Sequence, residues 1–173
     1  MKILTVVPTY NEIENIEAFI GAVFQYLPVS GGILVVDDSS PDGTAAAVEK
    51  LVPQYPDRLF LLKRVGKLGG ASAFLEGFAW GIAHGYDALL AMDADFSHDP
   101  KYIPVMAEKI GLANVALRGY SFQLEMKYKA CKAGCKIVEV PIIFPDRKHG
   151  TSKMSNKYFF DALMSVWKIR RMA

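Results

Sequence analysis

"GILVVDDSSPDGTAAAVEKL", residues 32–51, decides the fold. Ile33, Leu34, Val35 and Val36 form a short run that is apolar on both faces, as a strand inside a parallel sheet is. Asp37 and Asp38 end it. Pro41, Asp42 and Gly43 then give a strong turn signal, and "TAAAVEKLVPQY" reads as a helix that ends near Pro53. A buried strand, a polar turn and a helix, in that order, are the building block of a βαβ unit.

The same block repeats on both sides of it. Upstream, "KILTVVP" is a strand and "EIENIEAFIGAVFQYL" a helix, with Ile13, Ile16, Phe19, Ile20, Val23, Phe24 and Leu27 at helical spacing. Downstream, "RLFLLKR" is a third strand and "GGASAFLEGFAWGIAHG" a third helix, stopped by Gly85. "DALLAMDAD" is a fourth strand and "PKYIPVMAEKI" a fourth helix. The pattern predicts an α/β fold: a mostly parallel sheet with right-handed crossovers and helices on both faces. After the fourth helix the rhythm breaks. "GLANVALRGY" carries no strand, "SFQLEMKYKACKAG" is another helix, and "KIVEVPIIF" is a last strand whose Pro141 marks an edge or a bulge. A basic loop, "PDRKHGTSKMS", leads to a terminal amphipathic helix, "KYFFDALMSVWKIRRMA".

Composition bounds the function. A chain of 173 residues predicts a single domain, 1–173, with a sizeable core. Hydrophobic residues make up 51%, which excludes a disordered chain, and a net charge of +2 gives no support to a nucleic-acid partner. Cys131 and Cys135 are four apart with no second Cys/His pair to complete a zinc site, so they read as reduced thiols in a cytosolic protein. The N-terminal apolar run is too short for a signal peptide, and no segment reaches the length of a membrane span.

If the sheet is parallel, the strand ends converge on one rim, where such sheets bind ligands. The first ends in Pro8, Thr9, Tyr10, Asn11 and Glu12, the second in Asp37 and Asp38, the third in Arg64 and "VGKLGG", the fourth in Asp93 and Asp95. In an extended stretch Asp93 and Asp95 point the same way. Their hard oxygens suit Mg²⁺ or Mn²⁺ with a shell completed by waters and substrate phosphates. A loop acid and a helix cap explain them as well, and Asp99 before Pro100 has the pattern of an N-cap. Asp37 and Asp38 fit Asx turns, or a carboxylate that accepts from a base N–H or a ribose hydroxyl. "GKLGGA" brings Lys67 and backbone amides toward a diphosphate, without the spacing of a P-loop. Arg147, Lys148, His149 and Lys153 form either a solvated loop or a phosphate clamp. A phosphoacceptor signalling domain would need acids after the first strand, which instead ends in Pro-Thr-Tyr.

Together, "VVPTYNEIENI", "VVDDSSPDGT", "RVGKLGGASAFLEGF", "MDADFSHDP", "GYSFQLEMKYKACKAG" and "VEVPIIFPDRKHGTSKMS" resemble the family 2 glycosyltransferases, and among them the polyprenol (dolichyl) phosphate mannosyltransferase group. The resemblance covers most of the chain, and "DRKHGTSKMS" is its most specific part. It implies an A-type, nucleotide-sugar-binding, Rossmann-like fold. It implies a metal-dependent, inverting transfer of mannose from GDP-mannose to a polyprenyl phosphate. Pro8, Tyr10, Glu12, Val36 and Asp38 would hold the guanosine, with Lys67 near the nucleotide. Asp93, Ala94 and Asp95 would hold the sugar and diphosphate, Asp95 with Ser97 would meet Mg²⁺ or Mn²⁺, and Arg147 and Lys153 would hold phosphates. Catalytic roles fall to Asp93, Asp95, Arg147 and Lys153. A UDP-sugar donor (glucose or N-acetylglucosamine) on the same fold, or a non-catalytic nucleotide-sugar-binding module, are the alternatives. The terminal helix, with Phe159, Phe160, Leu163, Met164, Val166 and Trp167 on one side and Lys168, Arg170 and Arg171 at its end, packs on the domain or lies on a membrane surface. The expected location is cytoplasmic, peripheral at the membrane face. Two departures stand out. Ser97 replaces the family's usual glutamine or similar ligand, and between about 110 and 118 the chain passes over several dozen residues of the family's length, which reads as a missing segment.

Overall fold

The computed structural model describes residues 2–109 and, beyond them, positions 127, 128, 131, 132, 134, 137–139, 141 and 143. Two compact units divide the chain, Met1–Ile110 with Val140–Gly150, and Gly111–Glu139 with Thr151–Ala173. In the first unit the order is β1 (Ile3–Thr9), α1 (Ile16–Tyr26), β2 (Gly32–Asp37), α2 (Thr44–Leu51), a 3₁₀ turn (Val52–Gln54), β3 (Leu59–Lys63), α3 (Gly70–Ala83), β4 (Ala88–Ala91), a second 3₁₀ turn (Pro100–Tyr102) and α4 (Ile103–Lys109).

The four strands pair in parallel in the order β3-β2-β1-β4. After β3 the chain therefore crosses back over the sheet and lays β4 on the free side of β1, which makes the β1–β4 boundary the switch point of the topology. A crevice opens outside the strand ends at such a point.

Side-chain alternation sorts the two faces. Ile3, Val7, Ile33, Val35, Leu59, Ala88 and Leu90 form one core with Ile16, Phe19, Ile20 and Val23 of α1, Val48 of α2 and Ile103 of α4. Each such apolar side chain taken fully from water contributes about 1.5–3 kcal/mol. On the opposite face, α3 lies so close that a Cβ on Gly77 would stand 2.3 Å from Val6 Cγ1, and one on Gly81 2.5 Å from Leu89 Cδ2. These two glycines set the depth at which α3 sits, and so where its N-terminus meets the rim. Gly85, at φ 70°, ends α3 as the sequence predicts.

Two sequence expectations need correction. β4 stops at Ala91, opposite Val6, so the extended stretch does not reach Asp93 and Asp95. "KIVEVPIIF" shows no strand at its described positions 137–139, 141 and 143. A strand exists through its ladder of partners, and at these described positions no ladder is formed. In the second unit Lys127, Tyr128, Cys131 and Lys132 are helical, and Gly134, at φ 73°, makes a turn after them, in line with the helix expected there.

Candidate active site at the rim of the sheet

At the end of β1, Thr9 Oγ1 donates to Asp37 Oδ1 at 2.8 Å. Ser40 returns to the same carboxylate, its hydroxyl to Oδ1 at 2.6 Å and its N–H to Oδ2 at 2.9 Å. The Asn11 N–H in turn donates to Ser40 Oγ at 3.1 Å. Asp37 is thus a buried clasp between two strand ends, close to the Asx-turn reading. Asp42 clasps the next layer: Oδ1 accepts from the Thr44 N–H and hydroxyl, and Oδ2 from the Ile13 N–H at 3.1 Å. Burial pushes the Asp42 carboxyl up, but the hydrogen bonds from Thr44 and Ile13 together outweigh it and hold the group below its ordinary value. The Glu12 N–H donates to Thr44 Oγ1, and Glu12 Oε2 accepts from Asn15 Nδ2, both at 3.0 Å.

Asp38 does something the sequence did not reveal. Its Oδ1 accepts from Arg64 Nη1 at 2.6 Å, and Oδ2 accepts from the N–H groups of Leu68 and Gly69 at 3.0 and 2.7 Å. Both side chains are about 5% exposed, so this is a buried ion pair. Arg64 also donates from Nη2 to Ser72 Oγ at 2.6 Å. Its Nε lies 3.0 Å from Glu76 Oε2 with the N–H directed off the line, an ion pair without a formed hydrogen bond. Nothing in local spacing marks a pair 26 residues apart; the hint was that Asp38 and Arg64 end adjacent strands.

Tyr10 and Lys67, from the ends of β1 and β3, come together: Lys67 Nζ stands 3.9 Å above the Tyr10 ring. Pro8 lies opposite Val36 in the β1–β2 register, beyond the last β4 pair of Val6 with Ala91. Its missing N–H falls on the side that β4 has already left, so the proline costs the ladder no bond. Val36 is fully buried, its side chain under Gly77 of α3.

After β4 the chain turns sharply. Phe96 takes φ 62° and sets its ring edge-on to Phe19, with centroids 5.3 Å apart. In this turn Ala94 and Asp95 are buried while Asp93 is exposed, so the two aspartates do not share a direction as an extended chain would give. Asp95 Oδ1 accepts from the Ser97 N–H at 3.0 Å and its hydroxyl at 2.6 Å. Ser97 therefore supports Asp95, with lone pairs remaining on its own oxygen. The Asp93 N–H points at His98 Nδ1, at 3.1 Å. The same nitrogen stands 3.6 Å from Asp93 Oδ2. No spacing in the sequence marks this contact between Asp93 and His98. Asp99 caps as expected, its side chain accepting from the Lys101 N–H.

Among the described residues no cluster of three His, Cys, Asp or Glu side chains could hold a metal by itself. The donor chemistry still fits Mg²⁺ or Mn²⁺, which bind through one or two carboxylates and complete their shell with waters and phosphates. Arg147, Lys148, His149 and Lys153, the terminal helix and the 110–118 interval lie outside the described residues. So does Cys135; Cys131 is an exposed free thiol. No helix among the described residues is long and apolar enough to cross a membrane.

A parallel sheet with its polar strand ends gathered at a switch point defines an α/β protein with a ligand crevice at that rim. Residues 5–125 match the Glycosyl transferase family 2, and the chain belongs to that family. A polyprenol monophosphomannose synthase of Mycolicibacterium smegmatis is 33% identical over 233 aligned positions, covering 98% of this chain and 88% of that protein. An undecaprenyl-phosphate mannosyltransferase of Micrococcus luteus is 30% identical over 227 positions, covering 96% and 93%. Since 98% of 173 residues is about 170, some 63 of the 233 aligned positions have no residue in this chain. Among solved structures, the mannosyltransferase PcManGT from Pyrobaculum calidifontis, in complex with GDP-Man and Mn²⁺, is 30% identical with a TM-score of 0.46 over 54% of this chain and 27% of its own. S. aureus TarS in complex with UDP is 26% identical, with a TM-score of 0.48 over 55% and 28%.

Proposed function

We propose that this glycosyltransferase moves mannose from GDP-mannose to a polyprenyl phosphate, with inversion. The observation that carries the reading is the likeness, over nearly the whole chain, to two proteins named for polyprenyl-phosphate mannosyl transfer. The rim supports it: Tyr10, Lys67, Glu12 and Asp38 surround the end of β1 and β2, where a nucleotide would lie, and Asp93 and Asp95 flank the crevice beside β4. Pro8 and Val36 would contribute backbone along the nucleotide, and Ala94 a closely packed wall beneath the sugar.

The leaving group is a nucleoside diphosphate, and its growing charge must be met. Asp95, steadied by Ser97, would hold Mg²⁺ or Mn²⁺, which supplies charge neutralisation at the diphosphate. Asp93 would hold the donor sugar. Arg147 and Lys153 would hold phosphates. Support for the reach of Arg147 comes from the Ile143 N–H, which donates to the Tyr102 hydroxyl at 3.0 Å. Arg147 follows four residues later, within about 14 Å of extended chain. The acceptor is a phosphate monoester with a second pKa of about 6, anionic at neutral pH, so it attacks without a strong protein base. Catalysis then rests on positioning and electrostatics. A lipid acceptor places the enzyme peripherally at the cytoplasmic face of a membrane, and we assign chain 1–173 to a single glycosyltransferase domain.

The aligned positions without a counterpart favour one second reading, a donor-binding module that does not transfer, with the shortfall at about 110–118. A donor panel separates the readings. Labelled GDP-mannose, UDP-glucose and UDP-N-acetylglucosamine are each offered with polyprenyl phosphate and Mn²⁺, and label is followed into organic solvent. Transfer from GDP-mannose alone supports the proposal. Transfer from a UDP-sugar alone moves the donor, and GDP binding without transfer from any donor establishes the second reading.

A further inference from the structure

We infer that Arg64 is a positioning residue for the donor nucleotide: from the end of β3 it locks the 65–69 loop through Asp38, and the lock holds Lys67 over Tyr10. The inference rests on the proposed reading of this rim as the nucleotide site. Arg64 joins three parts of the molecule at once. It meets Asp38 after β2, the Gly69 carbonyl in the loop at 3.3 Å, and Ser72 and Glu76 on α3. A flexible ammonium cannot make this set of contacts, whereas a planar fork of donors can.

Asp38 passes the restraint on, because its second oxygen takes the N–H groups of Leu68 and Gly69. The near side of the loop is pinned as well. Ser39, itself at φ 55°, donates its hydroxyl to the Arg64 carbonyl at 2.6 Å and accepts from the Gly66 N–H at 2.9 Å. Gly66 and Gly69, at φ 82° and 95°, supply the left-handed turns this path requires. Lys67 lies between the two pinned points, and its backbone is thereby fixed. Val65 and Leu68 face solvent, so the loop's shape comes from its hydrogen bonds rather than from packing of its own apolar groups. The buried guanidinium thus sets where a cation at the rim stands, without itself being open to a ligand.

Hydrogen exchange and a double-mutant cycle on the full chain test this. In Arg64→Lys, exchange at the Leu68 and Gly69 amides should rise about tenfold or more without any ligand, as a loosened local segment allows. GDP affinity, measured by calorimetry with Mn²⁺, should fall severalfold in Lys67→Met and in Arg64→Lys. In the double variant Lys67→Met should add almost nothing, because residues acting as one unit do not add. Arg64→Gln, which keeps a neutral N–H donor at this position and leaves Ser72 on the loop carbonyls, should give the same pattern and covers the case that Arg64→Lys does not fold. Unchanged exchange at Leu68 and Gly69, or additive losses of affinity, overturns the inference alone. A wild-type chain that binds neither GDP nor UDP overturns it together with the reading it rests on.

Discussion

Replacing Asp38 by alanine is the sharpest perturbation of this rim. The substitution leaves the Arg64 guanidinium, about 4% exposed, with the half-exposed Glu76 as its remaining charged partner among the described residues, and strands the Leu68 and Gly69 amides. Removing one partner of a buried, hydrogen-bonded ion pair costs about 3–5 kcal/mol, since the remaining charge stays desolvated. For a domain of this size, with about 2–4 °C of melting shift per kcal/mol, the transition should fall by about 6–20 °C. Thermal unfolding followed by circular dichroism measures the shift, and urea denaturation the free energy. The companion variant, Asp38→Ala with Arg64→Met, removes both charges and should recover most of the lost stability, because apolar replacement of a whole buried pair is often neutral. Nucleotide binding should be lost in both. A single-variant loss under about 1 kcal/mol, the range of an exposed pair, would refute the picture of a buried keystone.

Further outcomes follow from the same geometry. Thr5 Oγ1 is buried without a hydrogen-bond partner, so Thr5→Val should raise stability by about 1 kcal/mol in urea melts, the lower end of the cost of an unsatisfied buried polar group. Gly21 in α1 has no neighbour within 4 Å of a built Cβ, and Gly21→Ala should stabilise by about 0.5–1 kcal/mol, whereas Gly77→Ala drives a methyl into Val6 and should lose about 1–3 kcal/mol by thermal melting. The folded Asp42 carboxyl lies below its ordinary 3.8, so its contribution is present above that value and lost as pH falls through the folded value. Urea midpoints for Asp42→Asn should accordingly show a flatter acid limb than wild type below about pH 4. Ser97→Ala removes the hydroxyl on Asp95 while keeping the N–H, and should cut transfer about fivefold, the equivalent of about 1 kcal/mol, with little change in melting.

Much of this was legible in the chain. Buried runs such as "GILVVDD" have both faces covered, and their alternation with amphipathic helices leaves few arrangements besides a doubly wound parallel sheet. Gathering of Tyr10, Asp38, Lys67, Asp93 and Asp95 on one rim follows from that topology. The DAD turn was less legible. A strand pattern persists only while a neighbour supplies a ladder, and β4 loses β1 after Ala91, so the period of two ends before Asp93. Phe96, anchored on Phe19, then sets the turn through a tertiary contact. Arg64 read as one polar strand end among several, because its buried partners come from Asp38 and Ser72 in other elements. "KIVEVPIIF" has strand composition, but composition alone does not supply a ladder, and its described positions 137–139, 141 and 143 take no strand.

The central claim is that metal and donor diphosphate meet at the crevice between β1 and β4. Paramagnetic broadening of backbone amides by Mn²⁺, with and without GDP, tests it most directly on the ¹⁵N-labelled full chain. The account predicts broadening, with GDP present, centred on residues 93–98 and reaching 9–12 and 38–40, and its loss in Asp95→Asn. Broadening centred elsewhere, or unchanged by Asp95→Asn, would contradict it.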